Sequence, residues 1–376
     1  VVLRKYKNVN CLTAAVFELE PKTRTLRHEH GELQYDTLIV ATGVKHHYFG
    51  RDSWRQFAPG LKTVEHALEI RRQLFSAFEL AEASNDPVER ARLMRFVIVG
   101  GGSTGVELAG AIGELAQKTM VADFRNIDSR DAQVLLVEGA ENVLPVYAPK
   151  LQQAARRHLE QLGVSVRTRT MVEDLGADFV RMRSGNEVET VEAATILWAA
   201  GVRASFFGEI LAERTGVLLD RGGRVKVEAD CSLPGYPEIF VVGDLARLTD
   251  AVGRDVPGLA PAAIQQGRYV ADVITSRLRN KAAPKPFRYR DMGSMSVIGM
   301  NRAVGDLRFI KVTGIVAWMI WAFVHIISLI SVEQRLRVFL QWTWKYFTRK
   351  EGDRLITGAP PKTRLLQQAH QKALDD

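Results

Sequence analysis

The stretch RFVIVGGGSTGVELAGAIGEL, residues 95–115, decides the fold. An apolar run from Phe96 to Val99 leads straight into Gly100-x-Gly102-x-x-Gly105, and a helical pattern follows. Strand, tight turn and helix together form the fingerprint that binds the pyrophosphate of a dinucleotide. The first glycine permits the turn, the second lets the backbone approach the phosphates, and the third lets helix and strand pack closely. The N–H groups at the helix start then face the anion. Gly100, Gly102, Ser103 and Gly105 are therefore the candidate phosphate-binding residues; a glycine-rich β-turn is the plainer alternative.

Downstream, QVLLVEGAENVLP (133–145) supplies a second strand, Val134 to Val137, ending in Glu138. An acid at that point accepts hydrogen bonds from both ribose hydroxyls and repels a 2′-phosphate, which selects NAD over NADP. Glu138 lies 33 positions beyond Gly105, where about 20 is usual. The excess is QKTMVADFRNIDSRDA (117–132), a polar extension between helix and strand. A solvated strand end is the other reading of Glu138.

Further out, the chain repeats itself. TLIVATGVKHHYFG (37–50) returns as TILWAAGVRASFFG (195–208) at a constant offset of 158. Each copy carries a Thr, an apolar strand, Ala-x-Gly-Val, a basic residue and a Phe-Gly. If the second copy closes a nucleotide domain opened at Gly100, the first closes one whose glycine loop falls before residue 1. The expected architecture is α/β, with two Rossmann-like dinucleotide-binding domains, the first lacking its opening βαβ unit, and a C-terminal membrane-associating helical segment. The expected boundaries are 1–93 and 216–290 for the two parts of the first domain, 94–215 for the second, and 291–376 for the C-terminal region.

Composition narrows the partners. The 376 residues are 46% hydrophobic and 25% charged, with a net charge of +8, an ordinary globular balance for about two domains. A basic excess suits anionic cofactors, a membrane surface or nucleic acid. No basic and aromatic cluster of the RNA-binding kind is present, so nucleic acid is the weakest of the three. Two cysteines, Cys11 and Cys231, form neither a CxxC nor a zinc spacing, which argues for a reducing compartment and against a redox-active disulfide. The His28/His30 and His46/His47 pairs read as surface turns, and no metal site is expected.

The order ATG (41–43), GGGSTG (100–105), WAAG (198–201), VGD (242–244) and a Gln-Gln-Gly helix (265–267) resembles the two-dinucleotide-binding flavoproteins of the pyridine nucleotide-disulfide oxidoreductase superfamily. Within it, YFG after the ATG, DFRNID, PAAIQQG, FRYRDMGSMSVIG and the Trp-rich C-terminal segment resemble the type II NADH dehydrogenases. These are non-proton-pumping NADH:quinone oxidoreductases. The resemblance implies FAD and NADH as cofactors and a membrane quinone, ubiquinone or menaquinone, as acceptor. It implies Thr42 and Gly43 near the FAD phosphates, Gly243 and Asp244 at the ribitol, and Ala263 to Gln266, with Gln265, against the isoalloxazine. NADH would stack on the flavin, with Ala200 and Gly201 under its nicotinamide half and Glu107 nearby. Glu107 is equally well read as a favourable charge in the first helical turn. Many relatives carry a Gln four residues before the position of Gln265, where this chain has Pro261. A soluble NADH-dependent ferredoxin-type reductase and a truncated, non-catalytic membrane-associated NAD-binding protein are the competing readings. A sulfide:quinone oxidoreductase would need paired redox cysteines.

From Val312 to Val332 the chain has 21 residues without Asp, Glu, Lys or Arg, the length of a membrane span. Gly314, Trp318, Trp321, His325 and Ser328 fall on one side of a helix, and Val316, Ile320, Phe323, Ile327 and Ile330 on the other. That sidedness favours lying in the interface. In the next helix Glu333, Arg337, Gln341 and Lys345 line one face, while Leu336, Phe339, Leu340 and Phe347 line another. Trp318, Trp321, Trp342 and Trp344 suit a headgroup boundary; a buried hairpin or a homodimer interface is the alternative. Residues 312–350 are thus expected at a membrane surface, peripheral or monotopic, on the cytoplasmic face of the inner membrane.

Overall fold

The computed structural model describes residue 3, residues 6–348 and residue 356. The chain divides into two compact units, Val1–His47 with Val202–Met292, and Tyr48–Gly201 with Gly293–Asp376. The repeated element holds both crossings between them, after His47 and after Gly201. In each copy a short parallel strand ends, a glycine takes a left-handed conformation (Gly43 φ 65°, Gly201 φ 75°), and a second short strand follows. Those second strands, Val44–His46 and Val202–Ala204, pair antiparallel with each other in the first unit.

The second unit is built on a four-stranded parallel sheet. Its order is Thr195–Trp198, Arg95–Val99, Gln133–Val137 and Val164–Arg167. A parallel sheet is covered on both faces, so its strands are apolar throughout rather than alternating. Accordingly Phe96, Val97, Ile98 and Val99 are all buried. The helices Val64–Ala83, Ser103–Glu114 and Pro149–Glu160 cover one face. A meander of three antiparallel strands, Thr170–Leu175, Phe179–Ser184 and Glu187–Glu192, covers the other.

The units part at other places than expected: after His47 rather than 93, and after Gly201 rather than 215, so that 202–215 go with the first unit, while the C-terminal strands join the second. Residues 48–93 pack with this unit: Ile70, Leu74 and Phe78 share a core with Phe96 and Ile98, and Tyr48 and Trp54 share one with Trp198. The strands Ser294–Gly299, Arg302–Asp306 and Lys311–Thr313 also belong here. Close approach explains why. A Cβ on Gly110 would lie 1.9 Å from the Ile298 carbonyl oxygen, and one on Gly113 would lie 2.6 Å from that of Leu162. Glycine alone lets the helix Ser103–Glu114 meet backbone at that distance.

The polar extension is also ordered. The helix ends in a π-turn, Leu115–Thr119, and the loop beyond it is held by Glu82, whose carboxylate accepts the N–H groups of Arg125, Asn126 and Ile127 at 2.9–3.1 Å. Phe124 stacks on Phe78. These bonds hold the carboxyl of Glu82 below its ordinary value, against the opposing effect of desolvation.

The first unit holds the antiparallel strands Val16–Glu20, Thr25–His28 and Gly31–Gln34. Its second sheet pairs Leu38–Val40 in parallel with Tyr236–Val241, with Ser232–Leu233 on the far side. The helices Phe207–Thr215 and Ala260–Leu278 complete it. Its core joins Val40, Phe240, Val241, Leu211 and Val270. Pro261 falls in the first turn of the second helix, where a missing N–H costs no hydrogen bond.

The apolar run 312–332 is not one helix. Gly314 (φ 69°) starts a helix that ends at Ser328, and a second runs from Val332 to Thr348. Among the described residues no helix is long and apolar enough to cross a membrane. Three of the four tryptophans pack within the helix pair: Trp318 stacks on Tyr346 and Trp321 on Trp342, each at 5.6 Å, while Trp344 is exposed. The side chain of Lys345, and residues 349 and 350, lie outside the described residues.

Gly110→Ala tests the close packing. Overpacking costs roughly 1–3 kcal/mol, so the variant should melt several degrees below the parent by calorimetry; an unchanged melting temperature would mean that the hairpin is not seated on this helix.

Candidate functional site

The glycine loop is fixed by three backbones in contact. Gly100 has φ 109°, and a Cβ there would lie 2.7 Å from both Ala199 C and Ala200 N. A Cβ on Gly105 would lie 1.7 Å from the Gly100 carbonyl oxygen. The Gly100 N–H donates to Val137 O at 2.8 Å, and the Ala199 N–H to Val99 O at 2.7 Å. Gly102 caps the helix without a side-chain bond, so the helix start is left for an external anion.

Glu138 closes this loop from the neighbouring strand. One carboxylate oxygen accepts the Gly101 N–H at 2.5 Å and the other the Ala140 N–H at 2.7 Å. A carboxylate with both oxygens fixed by backbone donors keeps its remaining lone pairs in a set direction. That pair of acceptors fits the ribose hydroxyls of NADH, and the loop fits its pyrophosphate.

Ala200 and Gly201 follow Trp198, whose indole sits in an aromatic box. Tyr48 stacks on it at 5.1 Å, and Trp54 and Phe49 meet it edge-on at 5.6 and 6.3 Å. The Tyr48 hydroxyl donates to Ala58 O at 2.8 Å, and the backbone N–H of Trp198 to Pro59 O at 3.0 Å. The box steadies the strand end one residue before the peptide that touches Gly100. YFG and WAAG were both visible in the sequence, but nothing in their spacing says that they pack together.

Glu107 leaves the loop and turns toward the C-terminal strands. Its Oε1 accepts the Ser296 hydroxyl at 3.2 Å and the Val297 N–H at 3.3 Å. Burial holds its carboxyl above the ordinary value near 4.5, against the opposing effects of those two bonds and of His325. Tyr147, which shares a hydrogen bond with Ser103, is raised too, again by burial first.

The first unit brings its own candidates together. Its parallel strands end side by side, Val40 opposite Val241, so Thr42-Gly43 and Gly243-Asp244 leave the same end of the sheet, where α/β sheets take their ligands. Gly43 and Gly243 both have positive φ, and a Cβ on Gly43 would meet nothing within 4 Å. The Thr42 hydroxyl bonds that of Ser205 at 2.5 Å. Ala263 adjoins Gly243, at 3.5 Å from a Cβ placed there. This open, glycine-lined edge fits the phosphate and ribitol portion of FAD.

Gln265 and Gln266 are engaged with backbone. Gln265 donates to Arg290 O and accepts the Arg290 N–H, both at 2.9 Å. Gln266, 2% exposed, accepts the Gly243 N–H at 2.6 Å. Both therefore shape the chain around Gly243 and Arg290. Among the described residues no group of three or more His, Cys, Asp and Glu could hold a metal. The buried Cys231 thiol is pushed up to about 12 by burial, which leaves it unreactive.

Glu107→Gln keeps an acceptor for both of the Glu107 bonds. A raised folded-state value stabilises below the unfolded value and is lost as pH rises through the folded one. The variant should therefore gain melting temperature over the parent as pH rises above the ordinary carboxylate range, with no gain at the acid end; a pH-independent difference would contradict the burial of this carboxyl.

The chain is similar to known proteins along almost its whole length. The pyridine nucleotide-disulphide oxidoreductase family model matches residues 2–267, and that of the NDH2 C-terminal domain matches residues 292–351. A type II NADH:quinone oxidoreductase of Mycobacterium tuberculosis, Ndh, is 42% identical over 98% of this chain and 81% of its own length. A second from that organism, NdhA, is 38% identical over 97% and 79%. The fold matches that of NDH2 from Plasmodium falciparum, solved in complex with NADH, with TM-score 0.82 at 18% identity, covering 91% of this chain and 85% of that one. With the pyridine nucleotide-disulphide oxidoreductase model and the NDH2 C-terminal domain matched along one chain, and a relative 42% identical over 98% of it, this protein belongs to the type II NADH:quinone oxidoreductase family.

Proposed function

We propose that the chain oxidises NADH and delivers the electrons to a membrane quinone, ubiquinone or menaquinone, with FAD as its redox cofactor and without moving protons across the membrane. The observation that carries this reading is the convergence of Gly100–Gly105, Glu138 and the Ala199–Ala200 peptide in a member of this family. FAD, when bound, accepts a hydride and gives up electrons to the quinone. The protein's own residues bind and orient. Gly100, Gly102, Ser103 and Gly105 hold the NADH pyrophosphate, Glu138 its ribose, and the backbone of Ala200 and Gly201 its nicotinamide half.

Residues 1–47 and 202–292 hold FAD, with Thr42 and Gly43 at the phosphates and Gly243 and Asp244 at the ribitol. Ala263 and Gln266 flank the ring portion, Gln266 by fixing the Gly243 peptide and Gln265 by fixing that of Arg290. Glu107, whose carboxyl burial holds above its ordinary value against its bonds to Ser296 and Val297, links the helix of the glycine loop to the C-terminal hairpin. Residues 312–348 place the enzyme on the inner face of the membrane as a peripheral protein. Apolar residues exposed along the first helix, among them Val316, Met319 and Phe323, support that placement. A soluble ferredoxin-type reductase would have no use for this segment.

The reading is tested with FAD-loaded protein, NADH and a short-chain quinone, comparing the parent with Glu138→Ser and Glu138→Arg. Hydrogen bonds to a charged group are worth about 1.5–3 kcal/mol, so kcat/KM for NADH should fall at least about tenfold while NADPH use rises. An unchanged NADH/NADPH ratio would contradict the role of Glu138, and absence of quinone reduction by the parent would contradict the function.

A further inference from the structure

The turn between Arg302–Asp306 and Lys311–Thr313 exposes two large apolar side chains in succession. Phe309 is 85% exposed and Ile310 63%. The turn is tight: the Leu307 N–H donates to Ile310 O at 2.9 Å and the Phe309 N–H to Leu307 O at 2.7 Å. Arg308 holds φ 69°, a conformation that non-glycine residues adopt at a cost. Its guanidinium lies 5.1 Å from the Phe309 ring, and Lys311 follows Ile310 directly. The strand Lys311–Thr313 then runs into the helix Gly314–Ser328, whose Ile315, Val316, Met319 and Phe323 are also exposed.

We infer that the tip Leu307–Ile310 is a second lipid-contacting element, which inserts Phe309 and Ile310 among the acyl chains while Arg308 and Lys311 remain with anionic headgroups. This rests on the peripheral membrane placement proposed above and adds a site to it, since the tip is a hairpin turn outside both helices. Two apolar side chains flanked by two cations match the layering of an anionic bilayer surface, apolar inside and negative at the boundary. A protein partner matches it less well: a stable protein interface needs about 800 Å² per partner, far more than four tip residues offer, whereas lipid needs no complementary surface. The left-handed Arg308 is part of the device, because it turns the chain so that Phe309 stands clear of the sheet.

The test uses the full, FAD-loaded chain and vesicles of phosphatidylcholine, with and without phosphatidylglycerol, read by co-sedimentation. Phe309→Ser with Ile310→Ser should lower partitioning at least about tenfold, since each side chain contributes on the scale of a buried Phe or Ile. Oxidation of NADH with ferricyanide should stay unchanged. Arg308→Gln with Lys311→Gln should lose much of the preference for phosphatidylglycerol. Met319→Glu with Phe323→Glu, on the helix, separates the two readings. If the parent does not bind vesicles, the membrane placement fails. If the parent binds and only the helix variant releases, the tip inference is overturned while the placement stands. If the tip variant changes the oligomeric state without lipid, a second copy covers the tip and the inference is also overturned.

Discussion

The Gly105 backbone sits on the carbonyl of Gly100, and Gly100 sits on the Ala199–Ala200 peptide. The rest of the nucleotide unit depends on these two contacts. A side chain at either glycine would drive the helix away from the sheet. With both in place, three strand ends meet at one point: the loop from Arg95–Val99, Glu138 from Gln133–Val137, and Ala199 from Thr195–Trp198. The order of the parallel sheet puts those strands side by side, and the aromatic box around Trp198 fixes the third.

The same helix has a second use. Its first turn carries the glycine loop, and farther along it carries Gly110, which lets the hairpin beginning at Ser294 approach, and Gly113, which lets the backbone of Leu162 approach. Glu107 and Glu114 reach that hairpin as well, Glu107 through Ser296 and Val297 and Glu114 through the Met300 N–H at 2.8 Å. The hairpin in turn carries the helix Gly314–Ser328, whose Ala317 is buried. The helix that follows the glycine loop and the helix that exposes apolar side chains are thus joined through one three-stranded sheet. Glu107 sits on that path, which explains why a residue two positions past the glycine loop is so poorly solvated.

The parts legible in the sequence are those where a backbone demand dictates residue type. Gly100 and Gly105 are readable because no other residue meets the turn and the close approach. Glu138 is readable because a strand ending in an acid has a place in that pattern. The repeat was readable, but its meaning was only partly so: it marks the two crossings between units, which moved residues 48–93 into the nucleotide unit. What escaped were contacts between segments far apart in sequence. The docking of Tyr48 and Trp54 on Trp198, the seating of Ile298 on Gly110 and the use of Gln265 and Gln266 as backbone clips leave no periodic trace. The apolar run 312–332 looked continuous because hydropathy does not register Gly314 as a break. Its tryptophans suit a membrane boundary by type, yet Trp318, Trp321 and Trp342 stack between the two helices and Trp344 is left exposed.

The most direct measurement is a structure of the FAD-loaded protein with NADH bound. The account requires the pyrophosphate against the backbone of Gly102, Ser103 and Thr104, the adenosine ribose hydroxyls on the Glu138 carboxylate, and the nicotinamide portion over Ala200 and Gly201. NADH found elsewhere, or bound with Glu138 turned away from its ribose, would contradict it.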